Sequence, residues 1–200
     1  MLTLYRASQP TAALVLAHGA GAGQKSPFMV RVASGLASRG ISTATFDFPY
    51  MTAGRSMPDK PPVLESSWRD AIADAEQTFG TLPLFIGGKS MGGRIATHVA
   101  AQDAGHLRGV VLLGYPLHPP GKPQQRRDAH LPSVSTPMLF VQGTRDAFGT
   151  TAEIAALLPS LRQATLHEVA GGDHSFKTSG KKDTLEPIMD TVAEWIRQRS

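Results

Sequence analysis

The stretch Gly-Gly-Lys-Ser-Met-Gly-Gly-Arg at residues 87–94 constrains the fold more strongly than any other part of the sequence. An apolar run at residues 82–86 precedes it, and a run with apolar residues at helical spacing follows it. Its central part, Gly88-x-Ser90-x-Gly92, has the pattern of a nucleophile elbow, a sharp strand-to-helix turn that raises a serine hydroxyl above the sheet edge. Glycine suits the flanking positions because the serine backbone is strained and a neighbouring Cβ would clash with the returning helix. The stretch therefore predicts a strand, a tight turn and a helix.

Runs typical of buried strands alternate with runs at helical spacing along the whole chain, which indicates an α/β fold with a mostly parallel sheet. We expect about six to seven strands flanked by helices. The clearest strand segments are residues 12–17, 41–46, 82–86, 107–113, 137–142 and 164–169. Capping patterns place helix starts at Ser26-Pro27, Ser67 and Thr150.

Two longer stretches show neither the apolar run of a buried strand nor the spacing of a helix. Residues 51–64 are polar and proline-rich, and residues 114–136 contain five prolines, so we expect both to be surface loops. The sequence contains no internal repeat and no linker long enough to divide it. Residues 1–200 are therefore predicted to form one domain.

The composition is typical of an ordered globular protein, since 41% of the residues are hydrophobic and 18% are charged. No apolar run approaches the roughly 20 residues that a transmembrane helix needs. The N-terminus lacks the basic start and apolar segment of a signal peptide. The absence of cysteine excludes a disulfide framework, a thiolate metal site and a cysteine nucleophile. We expect a cytoplasmic protein that does not bind membranes.

Binding of nucleic acids or nucleotides is disfavoured by the charge and glycine patterns. The net charge is +4, but the basic residues are mostly scattered and only 6% of the residues are aromatic, which argues against a base-stacking surface. Gly88-Lys89-Ser90 matches the end of a phosphate-binding loop, but Pro83 occupies the position of that motif's first glycine. The glycines within residues 18–23 lack dinucleotide spacing. We predict no cofactor, no metal and no nucleic-acid partner.

Polar residues follow the carboxyl ends of several predicted strands, where an open parallel sheet binds its ligands. A serine hydroxyl becomes a nucleophile when a histidine takes its proton, and that histidine needs a carboxylate to hold its tautomer. Ser90, Asp146 and His174 occur in the chain order of a hydrolase triad, each after a predicted strand. Asp128, in the proline-rich stretch, remains an alternative for the acid.

Four segments carry a resemblance to a known family. They are His-Gly-Ala-Gly-Ala-Gly at residues 18–23, the elbow at 87–94, Gly-Thr-Arg-Asp at 143–146 and Gly-Gly-Asp-His-Ser-Phe at 171–176. The whole chain resembles a minimal α/β-hydrolase and is similar to the small lidless serine hydrolases related to dienelactone hydrolase. This resemblance implies a fold that lacks the first antiparallel strands and any lid domain. Dienelactone hydrolase has cysteine where this chain has Ser90, so we expect a different substrate.

The resemblance implies a carboxylesterase- or thioesterase-like serine hydrolase that acts on a small acyl substrate. Ser90 would be the nucleophile, His174 the general base and then acid, and Asp146 the orienting carboxylate. The backbone N–H groups of Ala20 and Met91 would form the oxyanion hole. The alternative is a catalytically inactive scaffold or binding module on the same fold.

The predicted pocket is open and shallow, because only residues 51–64 and 115–136 are placed to cover the site. Residues expected to line it are Gly21, Tyr50, Tyr115 and His118. The basic run of Lys122, Arg126 and Arg127 is either an ordinary solvated surface or a region that attracts an anionic substrate, such as a phosphate-bearing thioester. The expected assembly is a monomer or a homodimer.

Overall fold

The computed structural model describes residues 1–180 and 183–200, and a seven-stranded sheet lies at its centre, within the predicted number of strands. The strands are β1 (Thr3–Tyr5), β2 (Ala12–Ala17), β3 (Ile41–Phe46), β4 (Leu84–Lys89), β5 (Gly109–Leu113), β6 (Met138–Gly143) and β7 (Ala164–Val169). Their order across the sheet is β1-β3-β2-β4-β5-β6-β7. All neighbouring pairs are parallel except β1 with β3. The carboxyl ends of β2 to β7 therefore meet at one edge, where an α/β sheet builds its site.

Helices cover both faces of this sheet. They are α1 (Pro27–Ala37), α2 (Pro49–Thr52), α3 (Pro61–Phe79), α4 (Met91–Gln102), α5 (Thr151–Ala155) and α6 (Leu185–Arg197), with short 3₁₀ turns at Leu131–Ser133 and Leu158–Ser160. The start of α1 is as predicted, since the Ser26 hydroxyl accepts a hydrogen bond from the Met29 N–H and Pro27 occupies the first turn. The predicted capping box of Thr150 and Glu153 likewise begins α5.

Two hydrophobic clusters fill the space between the sheet and the helices, because successive side chains of a strand point to opposite faces. Val15 of β2 belongs to the cluster that contains Trp68 of α3 and Ile95 of α4. The next residue, Leu16, belongs to the cluster that contains Trp195 of α6. Each core strand is thus shared by both clusters.

The region predicted as one loop at residues 51–64 is partly helical. α2 extends into its start, and α3 begins at Pro61, before the predicted capping box at Ser67. Proline at the first helical positions lacks only an N–H that the helix cannot pair, so Pro61 and Pro62 start a helix here. The Ser67 hydroxyl donates a hydrogen bond to the Val63 carbonyl, inside the helix, and caps nothing.

The resemblance implies that the first antiparallel strands are missing, but the structure has one antiparallel strand, β1, at the edge of the mostly parallel sheet. Thr3 of β1 pairs with Thr45 of β3, and Tyr5 pairs with Thr43, so β1 covers the outer edge of β3. Within residues 1–180 and 183–200 no separate lid domain covers the sheet. None of the helices in those ranges combines the length and the apolar character needed to cross a bilayer.

Candidate active site

The turn between β4 and α4 has the geometry of a nucleophile elbow. Ser90 lies at this turn with φ of 51°, a left-handed conformation that side chains other than glycine rarely adopt. A Cβ on Gly88 would lie 2.3 Å from the carbonyl oxygen of Ala17, and one on Gly92 would lie 2.4 Å from the same atom. The two glycines therefore let α4 pack directly against the end of β2, which holds the Ser90 hydroxyl at the sheet edge.

The side chains of Ser90, His174 and Asp146 lie in one hydrogen-bonded chain. His174 Nε2 lies 2.9 Å from Ser90 Oγ, and His174 Nδ1 lies 2.8 Å from Asp146 Oδ2. With Nδ1 donating its proton to the carboxylate, Nε2 is left as the acceptor that faces the serine hydroxyl. The ring of Phe148 packs against His174, with the ring centroids 4.2 Å apart, and restricts its rotation.

Asp146 is almost fully buried, and its carboxylate is held by groups other than the histidine. Gln142 Nε2 donates to Oδ2 at 3.0 Å, and the Phe148 N–H donates to Oδ1 at 2.8 Å. These donors fix the orientation of the carboxylate. The alternative acid, Asp128, forms an ion pair with Arg126 instead.

His174 lies on a tight loop after β7 that its neighbours hold in place. The carboxylate of Asp173 accepts hydrogen bonds from the N–H groups of Ser175 and Lys177, at 2.8 and 2.9 Å. Phe176 adopts φ of 63° and is fully buried, which anchors the loop to the core. The orientation of His174 is therefore set by the loop as well as by Asp146.

Lys89, which is not among the predicted site residues, contacts the same loop through its side chain. Its Nζ donates a hydrogen bond to the His174 carbonyl at 2.5 Å, and it lies 5.4 Å from the centre of the Phe176 ring. Burial lowers the pKa of this ammonium group to about 8, against the opposing effect of Asp146 and Asp173. The only sequence signal for this role is the position of Lys89 directly before Ser90 in the elbow motif.

The two predicted oxyanion-hole residues, Ala20 and Met91, line the same groove as Ser90. Met91 is the first residue of α4, where backbone N–H groups have no partner within the helix. The loop of Ala20 is fixed by buried side chains, since Tyr50 donates to the Ala20 carbonyl at 3.1 Å. His18 accepts a hydrogen bond from the Phe48 N–H and contacts the Gly19 carbonyl at 2.7 Å. Ala20 and Met91 therefore border the groove from the loop after β2 and from the start of α4.

The site opens into a groove of about 1270 Å³. Its walls include the two stretches predicted to cover the site, through Pro58 and Leu64 on one side and Pro116 on another. They also include the start of α1 and the segment after His174, with the apolar side chains of Phe28 and Phe176. The two stretches predicted to cover the site are therefore joined by two further walls, one from the start of α1 and one from the segment after His174.

Of the four predicted pocket residues, only Gly21 lines this groove. The other three lie outside it because the fold directs their side chains into internal contacts. Tyr50 supports the Ala20 loop as described above, and the Tyr115 hydroxyl donates to the Arg127 carbonyl at 2.6 Å. His118 Nε2 contacts the Glu153 carboxylate at 3.1 Å, away from the groove.

The basic run divides in a similar way. Lys122 and Arg126 do not line the groove, and Arg126 is occupied by its ion pair with Asp128. Arg127 does line it, and so does Arg94, a residue of the elbow motif that the sequence analysis did not select as a site residue.

A family described as an alpha/beta hydrolase domain matches residues 10–199 of the sequence. This chain belongs to the α/β-hydrolase family. The match spans nearly the whole chain, so it includes β2 to β7 and all six helices.

Solved structures share this fold at low sequence identity. Est1E from Butyrivibrio proteoclasticus, solved with ferulic acid bound, has a TM-score of 0.81 at 14% identity, with 100% of this chain and 94% of that chain covered. Dienelactone hydrolase from Anabaena variabilis has a TM-score of 0.79 at 22% identity, with 99% and 91% covered. XC6422 from Xanthomonas campestris, a serine hydrolase without a lid, has a TM-score of 0.78 at 16% identity, with 98% and 88% covered. These likenesses show the α/β-hydrolase fold.

Proposed function

We propose that this chain is a serine hydrolase that cleaves a small carboxylic ester or thioester through an acyl-enzyme intermediate. The observation that carries the proposal is the hydrogen-bonded chain from Ser90 through His174 to the buried carboxylate of Asp146. Further support comes from the structurally similar Est1E, which was solved with ferulic acid bound. Ferulic acid is a small carboxylic acid.

In the first half of the reaction, Ser90 Oγ attacks the carbonyl carbon of the substrate while His174 Nε2 takes its proton. The carbonyl oxygen becomes an oxyanion, which the N–H groups of Ala20 and Met91 stabilise. His174 then gives the proton to the leaving alcohol or thiol as the carbon–oxygen or carbon–sulfur bond breaks. A water activated by His174 attacks the acyl-enzyme in the same way, which releases the acid and restores Ser90.

The test is labelling with a fluorophosphonate, followed by intact-protein and peptide mass measurement. Ser90 Oγ is expected to bond to phosphorus, with loss of fluoride, so that a single adduct maps to residue 90. The Ser90→Ala variant should take no label. The Ser175→Ala variant, which removes an exposed serine from the wall of the same groove, should label as the wild type does.

The labelling rate also tests which carboxylate orients His174. Asp146→Asn is expected to slow labelling on the order of 10³- to 10⁴-fold, because the amide favours the wrong histidine tautomer. Asp128→Asn should slow it little, since Asp128 pairs with Arg126. If the folded wild-type protein takes no label, the triad is not activated, and the inactive scaffold becomes the better interpretation.

A further inference from the structure

Two guanidinium groups in the groove beside Ser90 have no anionic partner. Arg94 and Arg127 both line the groove, and neither forms an ion pair with any carboxylate of residues 1–180 and 183–200. The Arg94 Nε atom is buried, and no hydrogen-bond acceptor among those residues reaches it. A buried donor that remains unpaired costs free energy, so this arrangement needs a reason.

The position of Arg94 is tied to that of the nucleophile. Its backbone N–H donates to the Ser90 carbonyl at 3.0 Å, so the two residues lie one helical turn, about 5.4 Å, apart along the axis of α4. Side chains of a helix tilt toward its N-terminus, which is the end that carries Ser90. Arg94 and Ser90 line the same groove.

Arg127 is held in place by the buried residue Tyr115. The Arg127 carbonyl accepts the hydrogen bond from the Tyr115 hydroxyl, and the Arg127 N–H donates to the Leu117 carbonyl at 2.9 Å. Tyr115 is itself anchored, because its own N–H donates to Gln142 Oε1 at 2.8 Å. The main chain at Arg127 is thus fixed, although it lies in a proline-rich loop.

The two arginines repel each other where water is partly excluded. Burial, together with the charge of Arg127, lowers the pKa of the Arg94 guanidinium, which nevertheless stays protonated. The two carboxylates that line the groove are already paired, Asp59 with Arg55 and Asp183 with Arg31. The guanidinium groups of Arg94 and Arg127 are therefore left without a carboxylate partner among the described residues, and a bound anion would neutralise them.

We propose that Arg94 and Arg127 form an oxyanion-binding subsite beside Ser90, which receives a carboxylate or phosphate group carried by the substrate. Guanidinium groups bind both oxyanions through paired N–H donors. That the anion belongs to a substrate rests on the function proposed above. The substrate class is then an ester or thioester with a negatively charged group close to the scissile carbonyl.

The test compares two esters of equal chain length, mono-4-nitrophenyl glutarate, which carries a carboxylate, and 4-nitrophenyl pentanoate, which does not. Both esters are measured at one fixed ionic strength, and kcat/KM for the glutarate ester is divided by kcat/KM for the pentanoate ester. This ratio should fall about 10- to 100-fold in Arg94→Gln and in Arg127→Gln. Lys122→Gln is the matched control, because Lys122 is exposed and lies outside the groove, and it should leave the ratio unchanged. If Arg94→Gln does not fold, Arg127→Gln alone decides the result.

Binding measured without turnover separates this inference from the proposed function. Calorimetric titration of the Ser90→Ala variant with glutarate and with inorganic phosphate should show that at least one of the two anions binds. Adding the Arg94→Gln substitution to this variant should abolish the binding. Binding without hydrolysis by the wild type supports the subsite and refutes the hydrolase. Hydrolysis with an unchanged ester ratio and no anion binding refutes the subsite and leaves the hydrolase standing. The anion that binds with the higher affinity identifies the charged group of the substrate as a carboxylate or a phosphate.

Discussion

Lys89 places an ammonium group beneath the loop of the histidine on which the proposed mechanism depends. Burial lowers its pKa from 10.5 to about 8, so between these values the folded protein has released a proton that the unfolded chain still holds. The free energy of unfolding should therefore rise with pH across this window. The stability gained from the uncharged form of Lys89 is lost as the pH falls through 8.

Chemical unfolding of the wild type and Lys89→Met between pH 7.5 and pH 10.5 measures this effect. The difference in unfolding free energy between the two proteins should change in favour of the wild type by on the order of 3 kcal/mol. Lys25→Met is the matched control, since Lys25 is an exposed lysine. Parallel curves for the wild type and Lys89→Met would show that the Lys89 charge is not disfavoured by folding.

At the scale of elements, the close contact between α4 and the end of β2 places the nucleophile. A Cβ at Gly92 would lie 2.4 Å from the Ala17 carbonyl oxygen and 2.6 Å from that of His18, and these backbone atoms cannot rotate away. Gly92→Ala should lower the free energy of unfolding by roughly 1–3 kcal/mol and slow the labelling of Ser90, because α4 must shift.

The control for this substitution is Gly21→Ala, at a glycine whose added Cβ meets no atom within 4 Å. Its effect on the thermal melting point should be small, corresponding to about 0.5 kcal/mol or less. Equal melting points for Gly92→Ala and the wild type would mean that the elbow tolerates a wider separation from β2 than the structure indicates.

At the scale of the whole molecule, the two hydrophobic clusters share every core strand, so neither should unfold alone. The chain contains two tryptophans, and Trp68 and Trp195 lie in different clusters on opposite faces of the sheet. Trp68→Phe and Trp195→Phe each leave one fluorophore that reports on one face. In each variant, urea transitions followed by fluorescence and by far-UV circular dichroism should coincide. A fluorescence midpoint that differs from the dichroism midpoint would show that one face unfolds separately.

The alternation of strands and helices and the elbow around Ser90 could be predicted from the sequence because they depend on local spacing, whereas β1 and α2 were not among the predicted elements. Apolar residues recur with the period of the element that contains them, and the glycines beside Ser90 mark a turn that few other residues permit. The sequence also placed Asp146 and His174 after neighbouring strands, and a parallel sheet brings such strand ends to one edge. Local rules nevertheless failed at Pro61, where prolines that were interpreted as loop residues begin α3.

Which side chains enter the groove depends on how the elements pack against one another. Tyr50, Tyr115 and His118 lie on segments that reach the site, yet their polar atoms bind distant carbonyl and carboxylate groups instead. Lys89 and Arg94 lie in the motif that was recognised, but their partners, or the lack of them, depend on residues far along the chain. The direction and the hydrogen-bond partners of a side chain are set by packing between elements. The spacing of residues within one element does not predict that packing.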